Sequence, residues 1–268
     1  MTPKEFDTAF YETRVSQKNP TSDNPEMTSL VDRIESWCQV KDGDRILDFG
    51  CYDGYILRRL SSRKQITGVG VDIAAAAVEL ANRLNTSSGL RFRVTDGGTL
   101  PFDPASFDVV VCSEILEHVP ELDRVLGDIA RVLVPGGRLY ATMPNSLRDV
   151  WRPLHPLCRR IDEVEGHLRR MSRPDFLAAV VSHGFVPMRS RYRGFILSAI
   201  WYRNLIYTAR VKALGIGLIG ADRALSERLA KLVAYTAMRL YIVGDRPFSH
   251  YRRSMGIDAV FMRKAPTT

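Results

Sequence analysis

The chain has 268 residues, 45% of them hydrophobic, which is enough to bury one sizeable core with an appended subdomain. The stretch from Thr2 to Asn24 is polar and lacks the apolar run of a secretory signal, so we expect a cytoplasmic protein. The four cysteines show neither C-x-x-C spacing nor a paired framework, which predicts free, structural thiols and excludes a disulfide-stapled domain.

The formal net charge of +8 is distributed unevenly along the chain. Residues 1–150 hold 17 Lys and Arg against 22 Asp and Glu, whereas residues 151–268 hold 21 against 8. A net charge of −5 in the first part and +13 in the second favours an anionic partner, such as a membrane surface, a nucleic acid or a phosphorylated substrate. A solvated, arginine-rich surface fits the same numbers.

The first 44 residues are expected to form a helical cap on the core. Residues 1–24 are polar and end in a predicted loop at 20–25. Apolar residues recur at helical spacing over 26–39, and Asp42-Gly43 provides a turn into the first strand.

A glycine loop follows the first predicted strand, 45–49. Gly50 ends the strand, and Gly54 precedes a helix-like segment at 55–60. A buried strand, a tight glycine turn and a helix start allow backbone N–H groups to approach a ligand. The spacing differs from the dinucleotide fingerprint G-x-G-x-x-G, because Tyr52 stands where the second glycine would be.

Two further strands are predicted to end in aspartates. The strand at 66–71 leads to Asp72, about 20 residues beyond the glycine loop, and a strong helix former follows at 74–84. Asp72 is placed to accept hydrogen bonds from both ribose hydroxyls of a nucleoside, or alternatively to cap that helix. The strand at 90–94 ends before Asp96.

The remaining core elements continue the alternation of strands and helices. A continuous apolar strand at 107–112 is followed by a helix at 122–134, a Pro135-Gly136-Gly137 turn and a strand at 138–143. After an irregular stretch at 146–170, a helix at 174–183 precedes strands at 186–192 and 257–262. This order predicts a doubly wound α/β sheet.

Residues 195–255 are predicted to be a helical insertion between the last two strands. Two amphipathic helices, 195–219 and 223–243, bear arginines that interrupt the apolar runs before a membrane-spanning length of about 20 residues is reached. The insertion fits a lid over a hydrophobic acceptor, an interfacial membrane anchor or a dimer interface.

The motifs of residues 45–145 resemble, in order, those of class I S-adenosylmethionine (SAM) methyltransferases. They are Asp48-x-Gly50-Cys51-x-x-Gly54, Asp72, Asp96, the strand from Phe107, Leu116-Glu117-His118-Val119 and Leu133-x-Pro135-Gly136-Gly137. The similarity is to the small-molecule group that includes ubiquinone-pathway O-methyltransferases. It implies a Rossmann-like, seven-stranded, mostly parallel sheet with an antiparallel last strand, a SAM-binding core at 45–194 and a last strand and tail at 256–268.

The resemblance also implies which residues bind the cofactor. Asp72 would bind the ribose, and Asp96 would accept from the adenine amine. The expected cofactor-binding residues are Asp48, Gly50, Cys51, Gly54, Asp72, Ile73, Asp96, Gly97 and Ser113. Tyr52 departs from the family pattern, and its side chain either narrows the methionine pocket or points outward. In the family an N-terminal segment often folds over the cofactor, so Tyr11 is either a lid residue or a packed aromatic.

His118, just past the fourth strand, is the candidate catalytic base, with Glu117 as its orienting partner. A structural role for His118 at the start of the next helix is the alternative. Glu114, Glu117, His118 and His167 also resemble the divalent-metal site of small-RNA 2′-O-methyltransferases and some ubiquinone-pathway enzymes. No metal ligand is assigned from the sequence, because the Leu-Glu-His-Val string also occurs in metal-free relatives.

The function that the resemblance implies is methyl transfer from SAM to an oxygen of a hydrophobic or lipid-linked small molecule, with possible peripheral membrane contact through 195–244. A nicotinamide-dependent oxidoreductase is disfavoured by the missing second glycine, by Asp96 and by the expected antiparallel strand. A nucleic-acid-directed enzyme is disfavoured because no RNA-binding module is present and the arginines lie among bulky apolar residues.

Overall fold

The computed structural model describes residues 8–17, 20–21, 23–150, 152, 155–194 and 254–265. The two amphipathic helices predicted at 195–219 and 223–243 lie outside the described residues. Among the helices that the structure describes, none has the length and apolar content needed to cross a membrane.

Seven strands and seven helices are described. The strands are β1 (Arg45–Phe49), β2 (Thr67–Asp72), β3 (Leu90–Val94), β4 (Phe107–Cys112), β5 (Leu133–Pro144), β6 (Phe185–Arg193) and β7 (Gly256–Arg263). The helices are α1 (Thr8–Gln17), α2 (Pro25–Trp37), α3 (Tyr55–Ser61), α4 (Ala75–Leu84), α5 (Leu122–Val132), α6 (His155–Glu165) and α7 (Arg173–Val181).

The strands form one sheet in the order β3-β2-β1-β4-β5-β7-β6. β1 pairs in parallel with both β2 and β4, whereas β7 pairs antiparallel with β5 and β6. The order reverses between β1 and β4, and ligands of open α/β sheets bind at such a switch point. The predicted α/β class, with a mostly parallel seven-stranded sheet and an antiparallel last strand, is confirmed.

Alternate residues of each central strand face opposite sides of the sheet. Leu47, Val110 and Leu139 belong to a core shared with α5 and α7, whereas Ile46 and Val109 belong to a core shared with α2, α3 and α4. Both faces are therefore covered by helices, which explains why these strands read as continuous apolar runs. The four cysteines are free and buried, as predicted.

Three local predictions differ from the structure. The Pro135-Gly136-Gly137 segment bulges inside β5 rather than preceding it, since Phe107 already pairs with Leu133. The stretch 146–170 was expected to be irregular but contains α6, whose Pro156 lies in the first turn, where no intrahelical N–H bond is lost. Residues 8–17 form α1, whereas the helical cap expected at 1–44 had helix bounds only at 26–39.

Candidate active site

A cavity of about 430 Å³ opens at the carboxyl ends of β1, β2, β3 and β4, at the switch point of the sheet. Its volume falls within the range of roughly 300–1,000 Å³ that is typical of small-molecule sites. Six of the predicted site residues line it: Gly50, Asp72, Ile73, Gly97, Ser113 and His118. Sites of this kind bind cofactors in doubly wound sheets, so the position agrees with the sequence prediction.

Asp72 holds the glycine loop and the following turn together. Its Oδ2 accepts a hydrogen bond of 2.9 Å from the Tyr52 N–H, and its Oδ1 accepts one of 3.0 Å from the Ala74 N–H. Burial raises the pKa of the carboxyl, and the backbone donors oppose that shift. Each carboxylate oxygen has a second acceptor site, so Asp72 can still receive hydroxyl donors from a ligand in the cavity.

Tyr52 lines the cavity rather than pointing away from it. Its backbone has a positive φ of 48°, a conformation that glycine adopts without strain and that a bulky residue rarely does. The hydroxyl is buried and has no hydrogen-bond partner among the described residues. Tyr52 therefore forms part of the cavity wall at the position where the family motif has glycine.

Three of the predicted cofactor residues lie behind the cavity wall. Asp48 is buried, and burial, followed by the charges of Asp72 and Asp53, raises its pKa to about 8. Cys51 is buried beside it, and Gly54 caps α3, where an added Cβ would lie 2.5 Å from the Phe92 ring. These groups shape the loop from behind.

Asp96 is exposed and does not line the cavity. Its Oδ1 accepts from the N–H groups of Gly98 and Thr99, and these bonds lower the pKa of the carboxyl. Gly97 next to it does line the cavity. These two hydrogen bonds fix the turn after β3, and the expected contact of Asp96 with an adenine amine stays a prediction.

His118 and His167 form one wall of the cavity, with their ring centroids 5.0 Å apart. Nδ1 of His118 lies 3.3 Å from the Gly166 carbonyl oxygen, and Nδ1 of His167 lies 2.7 Å from Oδ1 of Asp162. Burial, followed by the proximity of His167, lowers the pKa of His118 to about 4. A neutral ring that donates from Nδ1 leaves Nε2 as a proton acceptor.

Glu117 is fully buried, and neither carboxylate oxygen has a hydrogen-bond partner in the described part of the chain. Burial, followed by the charge of Glu114, raises its pKa well above the ordinary value. One ligand atom from each of Glu117, His118 and His167 lies within 4.8 Å of the others. The partner of His118 Nδ1 is thus the Gly166 carbonyl, whereas the sequence predicted Glu117.

Comparison with known proteins relates the chain to methyltransferases. Residues 47–141 match a family model described as a methyltransferase domain. This part of the chain is therefore similar to methyltransferase domains, and named methyltransferases match the chain in sequence as well. Over 159 residues it is 37% identical to 27-O-demethylrifamycin SV methyltransferase of Amycolatopsis mediterranei, covering 53% of this chain and 58% of the relative. It is 36% identical over 107 residues to a ubiquinone biosynthesis O-methyltransferase of Paracidovorax citrulli, covering 38% and 44%.

The chain thus spans only about half the length of these curated relatives. Among solved structures, phosphoethanolamine N-methyltransferase 2 of Haemonchus contortus, in complex with phosphomonomethylethanolamine and S-adenosylhomocysteine, matches with a TM-score of 0.64. The sequences are 16% identical, and the match covers 98% of this chain and 59% of the other. At this identity the likeness concerns the fold alone.

Helix α1 lies over the cavity of about 430 Å³, which we call the cofactor cavity after the binding that the sequence predicts there. Tyr11 lines the cavity, and its ring meets that of His118 edge-on, with 5.9 Å between centroids. The Glu12 carboxylate accepts from the N–H groups of Ala75 and Ala76 at the start of α4. An acidic group at a helix N-terminus is stabilising, and α4 has no side-chain cap of its own.

Arg169 holds the loop that carries His118, a role that sequence reasoning missed. Its guanidinium donates to the carbonyls of Leu116, Val119 and Pro120. The arginine lies about 50 residues from these acceptors, so no local pattern connects them. The run from Gly166 to Arg170 extends the resemblance to the methyltransferase motifs beyond residue 145, and it was the available signal.

A second cavity, of about 200 Å³, adjoins the first. Glu114, Ile161 and His167 line both cavities. Four arginines also line the smaller one: Arg33, Arg170, Arg191 and Arg193. We call it the arginine cavity.

Proposed function

We propose that the protein transfers the methyl group of SAM to a hydroxyl oxygen of a small-molecule acceptor, with His118 as the general base. The observation that carries this proposal is a neutral imidazole on the wall of the cavity that Asp72 also lines. The names of the relatives, a ubiquinone biosynthesis O-methyltransferase and a 27-O-demethylrifamycin SV methyltransferase, support an oxygen acceptor.

The cofactor supplies a methyl group bound to a positively charged sulfur. Asp72 is proposed to accept from the ribose hydroxyls, while Gly50 lets the loop backbone approach the ligand. His118 accepts, through Nε2, the proton that the acceptor hydroxyl loses as its oxygen bonds to the methyl carbon. With SAM bound, the electrons of the carbon–sulfur bond would stay with sulfur, and His118 would then return the proton to solvent.

One further structural observation, at Gly50, supports the fit of the cavity-lining residues to SAM. An added Cβ at Gly50 would collide with the Ile115 side chain, so the strand end must be glycine for the cavity wall to close as it does. Gly50 also has a positive φ of 81°. We propose in addition that the acceptor is hydrophobic or lipid-linked, because residues 195–219 are strongly apolar in sequence.

A variant pair tests the assignment of the base. His118→Gln should lower turnover by about 10²–10⁴-fold and leave the affinity for S-adenosylhomocysteine within about twofold. His183→Gln, which changes a histidine that lines neither cavity, is the matched control. To find acceptors, small-molecule extracts are incubated with the protein and isotope-labelled SAM, and labelled products are identified by mass spectrometry. Equal activity of the two variants would refute the base assignment.

A divalent cation at Glu117, His118 and His167 is a second candidate, favoured by the unpartnered buried carboxylate of Glu117. Carbonyl and carboxylate contacts to Nδ1 of both histidines are of the kind that orient metal-binding imidazoles. Such an ion would bind the acceptor oxygen and favour its ionised form. Turnover that is lost on chelation and restored by a divalent ion would support the cation over the simple base.

Cofactor binding has its own test. Asp72→Asn should weaken binding of S-adenosylhomocysteine by about 1.5–3 kcal/mol, since a charge-assisted hydrogen-bond acceptor becomes neutral. Asp108→Asn is the control, because Asp108 pairs with Arg45 and lines neither cavity. Calorimetry on both folded variants measures the difference. Unchanged affinity in Asp72→Asn would remove the ribose assignment.

A further inference from the structure

The arginine cavity is built around one buried carboxylate. Asp258, on β7, is fully buried, and three guanidinium groups approach it. The Nε atoms of Arg33, Arg191 and Arg193 lie 3.2, 2.9 and 2.9 Å from its oxygens. One carboxylate balances one of these three positive charges.

Only part of the remaining charge is compensated. Glu114 accepts from Arg193, and this carboxylate, together with Asp258, raises the pKa of Arg193 despite the opposing effect of burial. Glu26 also lines the cavity, and because Glu26 and Glu114 are both exposed, water screens the charge of each carboxylate. Among the paired groups that the structure describes, three cations therefore face two anions.

All three guanidinium nitrogens of Arg170, by contrast, already have hydrogen-bond partners. Its Nε donates to both oxygens of Asp162, and its terminal nitrogens donate to the carbonyls of Asn145 and Cys158. These bonds fix Arg170 as part of the wall, so it is less available to a ligand than Arg191 is.

Arg191 has spare donors. Its Nε donates to Asp258, but neither terminal nitrogen has a hydrogen-bond partner within the described residues. The side chain lines the cavity and is 21% exposed, so it is partly desolvated. Two terminal N–H groups in a planar fork match the spacing of carboxylate and phosphate oxygens.

We propose that the arginine cavity binds an oxyanion, a carboxylate or a phosphate, that belongs to the methyl acceptor, with Arg191 as its principal donor. This inference rests on the proposed function, because the cavity shares Glu114 and His167 with the cofactor cavity. An anionic group held by Arg191 would fix one end of the acceptor while its hydroxyl lies beside the histidine wall.

The test uses small anions on the full chain saturated with S-adenosylhomocysteine, so that the cofactor cavity is filled. Binding of inorganic phosphate is measured from the line width of its phosphorus NMR resonance. Binding of acetate is measured from the line width of its carboxyl-carbon resonance, and both titrations are done at constant ionic strength. At least one of the two anions should bind. Arg191→Gln should weaken that binding at least tenfold. Arg189→Gln, on the same strand but exposed and outside the cavity, should behave as the natural chain does.

The titrations with phosphate and with acetate distinguish a phosphate-binding site from a carboxylate-binding site. Absence of binding by both anions overturns the inference, as does equal binding by the Arg191→Gln and Arg189→Gln variants. Calorimetry with S-adenosylhomocysteine on the same samples distinguishes the failures. If the natural chain binds S-adenosylhomocysteine but neither anion, only the proposed oxyanion site is contradicted. If the natural chain does not bind S-adenosylhomocysteine, the proposed function is contradicted. Arg191→Lys, which keeps the charge but not the fork, should recover only part of the affinity.

Discussion

His118 illustrates how burial sets chemistry at the scale of one residue. Its pKa is lowered to about 4 by burial and then by His167, from an ordinary value of about 6.5. The ring is therefore already neutral at pH 6, and kcat/KM should show no acid limb near pH 6.5 that belongs to this residue. We expect its limb at about pH 4–5 instead. A pH–rate profile checks this, and a limb centred near pH 6.5 would contradict the assignment.

Burial of Asp48 makes the stability of the protein depend on pH. Its pKa is raised to about 8, chiefly by burial, so its stabilising effect is complete below the unfolded pKa of about 4 and is lost as the pH rises through 8. Asp48→Asn mimics the protonated acid at every pH. Relative to the natural chain, the variant should gain on the order of 2–4 kcal/mol in free energy of unfolding between pH 5 and pH 8.5. Urea unfolding at both values measures the change.

Asp108→Asn provides a control of opposite sign. Its hydrogen bond to Arg45 lowers the pKa of Asp108, so the stability that this carboxylate contributes is present at neutral pH and lost as the pH falls. The Asp108→Asn variant should therefore be less stable than the natural chain at neutral pH and approach it in acid. If both variants shifted in the same direction with pH, burial of Asp48 would not be the cause.

At the scale of elements, the attachment of α1 to α4 controls how the cofactor cavity is covered. The Glu12 carboxylate caps α4, and its neighbour Tyr11 contacts His118. Glu12→Ala should cost about 1 kcal/mol of stability and speed amide exchange both in α1 and at the start of α4. Glu79→Ala, an exposed site on α4, is the control. Hydrogen exchange in α1 that is equal in the two variants would rule out this attachment.

Most of the fold could be predicted because the strands are buried on both faces. β1, β3 and β4 begin and end at the predicted residues, since apolar runs are bounded there by glycine, aspartate or charged residues. The bounds of α1 within the helical cap could not be predicted, because its own apolar pattern is weak and Glu12 holds it to an element more than 60 residues away. α6 was not predicted either, although its Pro156 is compatible with the first turn of a helix.

The location of the candidate site, like the strands of the fold, could be predicted from the sequence, whereas the side-chain contacts within it could not. Asp72 and His118 follow strand ends, and the carboxyl ends of parallel strands meet at one edge of the sheet. The turn made by Asp96 and the orientation of His167 by Asp162 depend on side-chain geometry that spacing does not encode. The positive φ of Tyr52 likewise arises from the loop as folded.

At the scale of the whole molecule, the basic second part of the chain divides into two groups of arginines. Arg169 and Arg170 donate to loop carbonyls and to Asp162, and Arg191 and Arg193 pair with Asp258, so these cations serve the interior of the domain. Much of the remaining positive charge lies in residues 195–253, where ten Lys and Arg face three Asp and Glu, a net charge of +7.

This segment is the part of the chain for which we predict contact with an anionic membrane surface. Basic residues near such a surface contribute about 1 kcal/mol each, and the attraction fades beyond a Debye length of roughly 10 Å at 0.1 M salt. The protein should therefore sediment with vesicles of phosphatidylcholine and phosphatidylglycerol at low salt and be released as salt rises. Pure phosphatidylcholine vesicles are the control, and Arg203→Gln with Arg210→Gln should weaken the binding. Absence of sedimentation at low salt would leave a lid over the acceptor as the role of the segment, and full activity after deletion of 195–244 would exclude that role as well.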